Sequence, residues 1–325
     1  MSTDTATTAR RFSNFAWAGI ALALLGAALF ATKGIIIKLA LTEGIDTVTT
    51  LTWRMIVAVP IFLAVGVVGY RRKLRELPPG TPSPLTLPVL LQTLGVGVLG
   101  YYIASLLDFS ALEYISAQFD RLILLTYPFF VVLFGAVFFK RRITPAMIGA
   151  LVVSYFGIAL IFWHDLRIEG DNVILGAALV FGSAIAYAGY QILAKPLIDR
   201  LGSGLFTSIA MSAAGPCVIV HFLATHPVGD LAITGNGFLL MLAIGTLATV
   251  LPAYCISGGI ALIGPERTAI IGNVSPVVTV ALAIGVLGEA FTVWHAIGTA
   301  LVLGGVFIFT RKEKPRVKVL EEQTA

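Results

Sequence analysis

The chain has 325 residues, 58% of them hydrophobic and 12% charged, with a formal net charge of +5. A soluble domain carries about 25% charged residues, so this composition excludes a molecule that meets water on every side, and a length that would otherwise suggest two domains belongs to one membrane-embedded body. The basic excess does not indicate nucleic acid, because Lys and Arg stand in short clusters beside apolar runs, as they do in membrane proteins.

Spanning a bilayer core about 30 Å thick takes roughly 20 apolar residues in a helix. Residues 1–14 form a polar tail that carries Arg10 and Arg11, and the apolar run after it is too long for a cleaved leader, so a retained span is expected there. The first five spans are expected at 15–41, 48–69, 87–108, 112–138 and 144–163. Five more are expected at 173–195, 203–223, 236–260, 266–288 and 291–310, followed by a second polar tail at 311–325. The expected fold class is therefore all-α, a polytopic membrane protein of ten transmembrane helices, and the even count puts both termini on one side. The two cysteines, Cys217 and Cys255, lie within these apolar stretches and form neither a disulfide framework nor a zinc site.

Positive charge fixes the orientation, because cytoplasmic segments keep an excess of Lys and Arg. With the N-terminus inside, the inner segments hold Arg10 and Arg11, the 71–75 cluster, Lys140 to Arg142, Lys195, Arg200, Arg267 and the basic residues of the C-terminal tail. The outer connections hold Arg167 alone, a division of 17 against one. A multi-pass protein of the plasma (inner) membrane with both termini cytoplasmic is expected. Trp163 and Trp294 then fall at the outer interface and Trp17 at the inner one, where amphipathic rings are enriched.

The two sets of five spans align on each other. Pro128 through Thr144 matches Pro276 through Thr292 with identical spacing, and Ala111-Leu112 matches Ala261-Leu262. Met55, Ala58 and Pro60 match Met211, Ala214 and Pro216, while Phe30 and Lys38 match Tyr187 and Lys195. Two units, 15–163 and 173–310, follow. Five is an odd number, so the second unit must lie upside down relative to the first. Inverted repeats are a transporter signature, since two equivalent halves can exchange conformations and so open the protein to either side.

The aligned stretches contain A-L-E-Y-I-S-A-Q (111–118) and A-L-I-G-P-E-R-T-A (261–269), with Y-P-F-F-V (127–131), S-P-V-V-T-V (275–280) and L-G-E-A-F-T (287–292). In this order and duplication the chain resembles the drug/metabolite transporter superfamily, in its EamA-type branch, over residues 15–310. The resemblance implies ten helices from a duplicated five-helix unit, and export or exchange of small metabolites. One departure stands out: the Glu near the end of that family's fourth helix is present in the second half as Glu289, but the first half reads Lys140-Arg141.

Ionisable residues inside spans are costly and mark functional sites by default. Lys33, Arg54, Asp108, Asp120 and Arg121 lie on four different spans, all in the outer half of the bilayer, so convergence on one another or on a wet cavity is expected. The repeat has Tyr190 where the first half has Lys33, Ala210 for Arg54 and Gly258 for Asp108; the fold does not need charge at these places. Helical spacing adds Gln118 and Tyr127 to the lining, and Tyr187 and Tyr190 form a polar stripe on the sixth span with Gln191 and Ser183. Asn273 offers a polar group at the ninth span. The candidate site is thus Lys33, Arg54, Gln118, Asp120, Arg121, Tyr127, Tyr187, Tyr190 and Asn273. Three bases outnumber two acids there. Arg121 or Lys33 is expected to meet a carboxylate or phosphate of the substrate, and Asp120 to orient Arg121's surroundings or to carry a coupling proton. The alternative is that the charges pair among themselves and lock helices together.

No G-x-x-x-x-G-K-[ST] phosphate loop, H-E-x-x-H or G-x-S-x-G motif is present, and the four histidines have no ligand-like spacing. Neither a metal nor a cofactor is expected, and the partners are a small-molecule substrate and the lipid bilayer. The expected function is secondary transport of a small polar or amphipathic metabolite, such as an amino acid, by alternating access. Exchange of phosphorylated or nucleotide-sugar-like solutes, and a membrane-embedded enzyme acting on lipid, are the alternatives. A lipid enzyme needs a charged cluster at the interface, typically with His, whereas this one lies within the span and has none.

Overall fold

The computed structural model describes residues 2–76, 78, 83–139, 145–169, 172–233, 235–263, 271 and 275–312. It builds ten helical rods, and no strand occurs among the described residues. In chain order they are α1 (Ser2–Thr42), α2 (Thr47–Glu76), α3 (Leu87–Ala111), α4 in two pieces (Ala117–Leu124 and Tyr127–Phe139) and α5 (Pro145–Glu169). There follow α6 (Asn172–Leu201), α7 (Ser203–Thr225), α8 (235–263), α9 (Ser275–Leu287) and α10 (Val293–Lys312). Seven are long and apolar enough over their described residues to cross a bilayer, and α5, α9 and α10 supply the shorter apolar stretches Val152–His164, Ser275–Leu287 and Val293–Gly305. Large apolar side chains such as Leu63, Val68, Phe138, Phe156, Val220, Leu239 and Phe307 point outward, whereas Lys33, Arg54, Asp108, Asp120 and Arg121 are buried. That arrangement reverses a soluble protein and suits a lipid surround. The chain is an all-α, polytopic membrane protein.

The main helix contacts among the described residues recur when the first five helices are exchanged for the last five. α2 packs on α7, and α5 on α10. The C-terminal part of α8 lies along α1, as the C-terminal part of α3 lies along α6. The N-terminal part of α3 meets α7, as that of α8 meets α2; α9 meets α1, as the second piece of α4 meets α6. The tight spots repeat too. A Cβ on Gly19 would stand 2.5 Å from Ile263, and one on Gly176 would stand 2.6 Å from Ile115. Gly19 and Gly176 are related by the same offset as Phe30 and Tyr187. Where α5 crosses α10, a Cβ on Gly157 would lie 2.6 Å from the Gly298 carbonyl oxygen, so only glycine lets these backbones meet.

Three interruptions depart from regular α-helix. α3 widens into a π turn at Val98–Ile103 and α8 at Thr246–Val250, near the middle of each, and α9 ends in a third at Ala283–Leu287. Such turns cluster at functional sites. The fourth span was expected to begin at residue 112, but 112–116 is a turn; Ser116 caps the helix that follows, its Oγ accepting from the Phe119 amide at 3.2 Å. The helix then breaks at Leu125-Thr126, where the Thr126 amide donates to Ile123 at 2.9 Å and Phe129 picks up Thr126 at 3.0 Å. Pro128, two residues on, has no amide to continue the ladder. The expected start of the ninth span, apart from residue 271, lies outside the described residues.

Candidate substrate site

Four helices bring their charges together. Lys33 on α1 donates to Asp108 Oδ2 on α3 at 2.5 Å, with both side chains buried. Two rings hold the remaining cations. The Lys33 ammonium lies 5.0 Å from the centre of Phe30 and 5.4 Å from that of Phe109. The Arg121 guanidinium sits 5.1 Å from Phe30, and that of Arg54 5.3 Å from Phe109. Lys33 thus stands between two arginines, each sharing a ring with it. Asp120 on α4 has zero exposure, within electrostatic reach of Lys33, Lys38, Asp108 and Arg121.

Pairing within this cluster is incomplete. Nε and Nη1 of Arg54, Nε and Nη2 of Arg121, Oδ1 of Asp108 and both carboxylate oxygens of Asp120 are buried without a hydrogen-bond partner. A desolvated cation over an aromatic face gains about 2 kcal/mol. A charge at the centre of a spanning helix costs about 2.5–3.5 kcal/mol even on the lower, insertion-based scale. The rings therefore do not offset the burial of the two arginines, whose donors stay unmet. Guanidinium forks match carboxylate and phosphate groups in two-point contacts.

A belt of tyrosines adjoins the charges. Tyr127 meets Tyr187 edge-on at 5.0 Å, Tyr187 stacks on Tyr190 at 5.5 Å, and Tyr190 meets Tyr101 at 5.1 Å with their hydroxyls 2.8 Å apart. Arg121 reaches Tyr187 electrostatically, and Arg54 reaches Tyr101. The belt crosses the seam between the halves: Tyr101 and Tyr127 belong to the first, Tyr187 and Tyr190 to the second. Tyr101 lies in the π turn of α3. The whole site is closed in this conformation, with Lys33, Arg54 and Arg121 6%, 4% and 3% exposed. Two concavities of about 460 and 520 Å³ lie elsewhere, one lined by Tyr102 and His221, the other by apolar residues such as Phe62, Leu63 and Val67.

Of the expected site residues, Lys33, Arg54, Asp120 and Arg121 come together, and Tyr127, Tyr187 and Tyr190 form the belt. Gln118 takes another place: its Nε2 donates to the Ala290 carbonyl at 3.0 Å. Its own amide and that of Ala117 donate to Glu289, at 3.4 and 2.8 Å. Asn273 lies outside the described residues. Asp108, Phe30, Phe109 and Tyr101 were not among the candidates, and all belong to the cluster. Of these, Asp108 was visible as an intramembrane acid, and Phe30 as the repeat counterpart of Tyr187.

The EamA-like transporter family matches residues 17–163 and, separately, 174–311. The chain belongs to the EamA-like transporter family. It is 28% identical to an uncharacterized transporter of Bacillus subtilis, YcbK, over 93% of this chain and 94% of that one. It is 27% identical to an uncharacterized transporter of Synechocystis over 90% and 93%, and 23% identical to a WAT1-related protein of Arabidopsis thaliana over 86% and 85%. A protein of known crystal structure shares the fold, with a TM-score of 0.58 at 19% identity over 91% of this chain and 99% of the other.

Within this EamA-like chain Glu289 acts as a latch. Gly288, at φ +66°, turns the backbone after α9, and the Glu289 carboxylate then caps the start of α4 across the seam. An anion at a helix N-terminus accepts orphan amides and meets the positive end of the dipole. The first half carries no carboxylate at the matching place, where the sequence reads Lys140-Arg141. Nearby, His295 is buried: Nδ1 shares a hydrogen bond with Thr292 at 2.8 Å, and the ring lies edge-on to His164 at 5.3 Å.

Proposed function

We propose that this chain is a secondary transporter that moves a small polar or amphipathic metabolite by alternating access, binding the anionic group of its solute at Arg54 and Arg121. The observation that carries the reading is the convergence of incompletely paired guanidinium groups from two helices beside a tyrosine belt drawn from both halves. An amino acid fits such a site, and so does a phosphorylated solute. The units are 15–163 and 173–310, and they rock about the seam. The 17-to-one division of basic residues supports a plasma (inner) membrane location with both termini and the 70–86 segment cytoplasmic, and the 164–172 connection outside. In that orientation the Glu289 latch closes the outer side.

The test is counterflow in liposomes that contain only the purified chain, screened against amino acids, organic acids and sugar phosphates. Saturable exchange of an anionic or zwitterionic solute, lost in Arg121→Gln, supports the reading. Exchange confined to neutral or cationic solutes contradicts the anion site. Currents at channel rates, with a thiol at Tyr101 reachable from both sides at once, contradict alternating access.

A further inference from the structure

Among the buried charges, Asp120 stands apart. Lys33 is engaged with Asp108, and the two arginines lie over rings. Among the described residues, Asp120 alone has both carboxylate oxygens buried with no hydrogen-bond partner, at zero exposure. Leaving an ionised carboxylate so placed is among the costliest arrangements a protein interior can hold, and the usual resolution is to take up a proton. Arg121, the next residue in the chain, does not relieve it: neighbours on a helix point about 100° apart, and Arg121 turns to Phe30.

The surroundings restrict what else could neutralise Asp120. Lys33 and Lys38 face it from α1, Asp108 from α3 and Arg121 from α4. The described length of α9, packed against this piece of α4, carries no ionisable side chain. α6 offers Tyr187, whose hydroxyl is bonded to Gln191, and α5 offers Tyr155, which is engaged with Thr126. Glu289, a turn away, is spent on the Ala117 and Gln118 amides. Lys33 thus has two acids within reach and is bonded to one.

We propose that Asp120 is a proton-binding site of the transport cycle, neutral while Lys33 is committed to Asp108, and that Lys33 exchanges between the two acids. When the halves rock and water enters, the Asp120 O–H breaks, the proton passes to that water, and the carboxylate left behind accepts from Lys33 or Arg121. Each state then keeps one acid charged and paired while the other is neutral or solvated. This deepens the transporter reading and rests on it, since a proton bound and released once per cycle couples solute movement to the proton gradient.

The test needs no substrate. The full-length chain in nanodiscs, with carbon-13 in its aspartate carboxyls, is examined by infrared spectroscopy at neutral pH. A carbon-shifted C=O stretch of a protonated acid, lost in Asp120→Asn, is expected. Asp108→Asn leaves Asp120 in place but frees Lys33, so the same band is expected to disappear there too. Lys33→Met, which removes the exchanging cation, is expected to keep it. Absence of the band from the wild-type protein overturns the proposal without any variant, as does its persistence in Asp120→Asn. Persistence in folded Asp108→Asn overturns the exchange. None of these results bears on whether solute crosses the membrane, so a failure here is distinct from failure of the transporter reading.

Discussion

Lys33, Arg54 and Asp108 occupy positions whose repeat counterparts are Tyr190, Ala210 and Gly258. The two sets are packed by different means. At the second-half positions the helices approach closely across the seam: a Cβ on Gly97 would lie 2.3 Å from the Ala210 carbonyl oxygen, and one on Gly100 would lie 2.4 Å from the Tyr190 ring. Gly258 faces Leu22, where a Cβ would stand 3.0 Å away. In the first half, an ion pair and the ring-backed guanidinium group of Arg54 fill the same places in the scaffold. The same helix contacts therefore form with and without charge. The comparison separates what the scaffold requires, which is close approach between helices, from what one half has added to it.

The first expected effect attacks the added part and reads directly on the solute. A charge-assisted hydrogen bond contributes about 1.5–3 kcal/mol, so Arg121→Gln should weaken the solute's apparent affinity by about 10- to 100-fold. Tyr190→Phe removes one hydroxyl contact on the uncharged side and should weaken it far less. Saturation curves for both variants in proteoliposomes compare them directly.

Next comes the ion pair. Breaking a buried pair by removing one partner costs about 3–5 kcal/mol, whereas replacing both with apolar groups is about neutral. Lys33→Met should therefore lower the melting temperature sharply, and adding Asp108→Val to it should restore most of the loss. A double variant no more stable than the single one would mean that the scaffold does need this charge.

The close approaches should respond to bulk rather than to charge. Gly157→Val forces side-chain atoms onto the Gly298 backbone, where a Cβ would already be 2.6 Å from the oxygen. Overpacking of this kind costs about 1–3 kcal/mol, measurable as a lower melting temperature. The smallest effect lies outside the spans. Burial disfavours the Asp46 charge, but the Thr49 hydroxyl and amide, His226 and the Val48 amide outweigh it and hold the carboxyl below its ordinary range. Asp46 caps α2, accepting from the Val48 amide at 2.8 Å and the Thr49 amide at 3.0 Å. Asp46→Ala should cost about 1 kcal/mol. A depressed carboxyl stabilises the fold above its unfolded pKa and loses that contribution as pH falls through the folded value. The gap between wild type and variant should hold at neutral pH and narrow only in acid.

The scaffold was legible because hydrophobic run length and duplicated spacing are one-dimensional properties, and Gly19 and Gly176 show the repeat reaching down to single contacts. Buried charges were legible for a related reason: any ionisable residue stands out in an apolar run. Their partners were not. Lys33 and Asp108 are 75 residues apart, and which acid it meets depends on the rotation of α1 against α3. The π turn that carries Tyr101 leaves no mark in the sequence. Gln118 was assigned to the lining by treating 112–138 as one continuous helix. The cap at Ser116 and the break at Leu125-Thr126 separate its first turns from the rest, and the Glu289 latch claims them.

One paired measurement tests the central claim, that the scaffold stands without these charges and the cargo needs them. Arg54→Met, Arg121→Gln and the Lys33→Met, Asp108→Val double variant are each purified, melted and assayed for solute counterflow in the same liposomes. The account predicts melting temperatures near the wild-type value together with transport reduced about tenfold or more. Variants that fold and transport at the wild-type rate and affinity would contradict it, and so would variants that fail to fold at all.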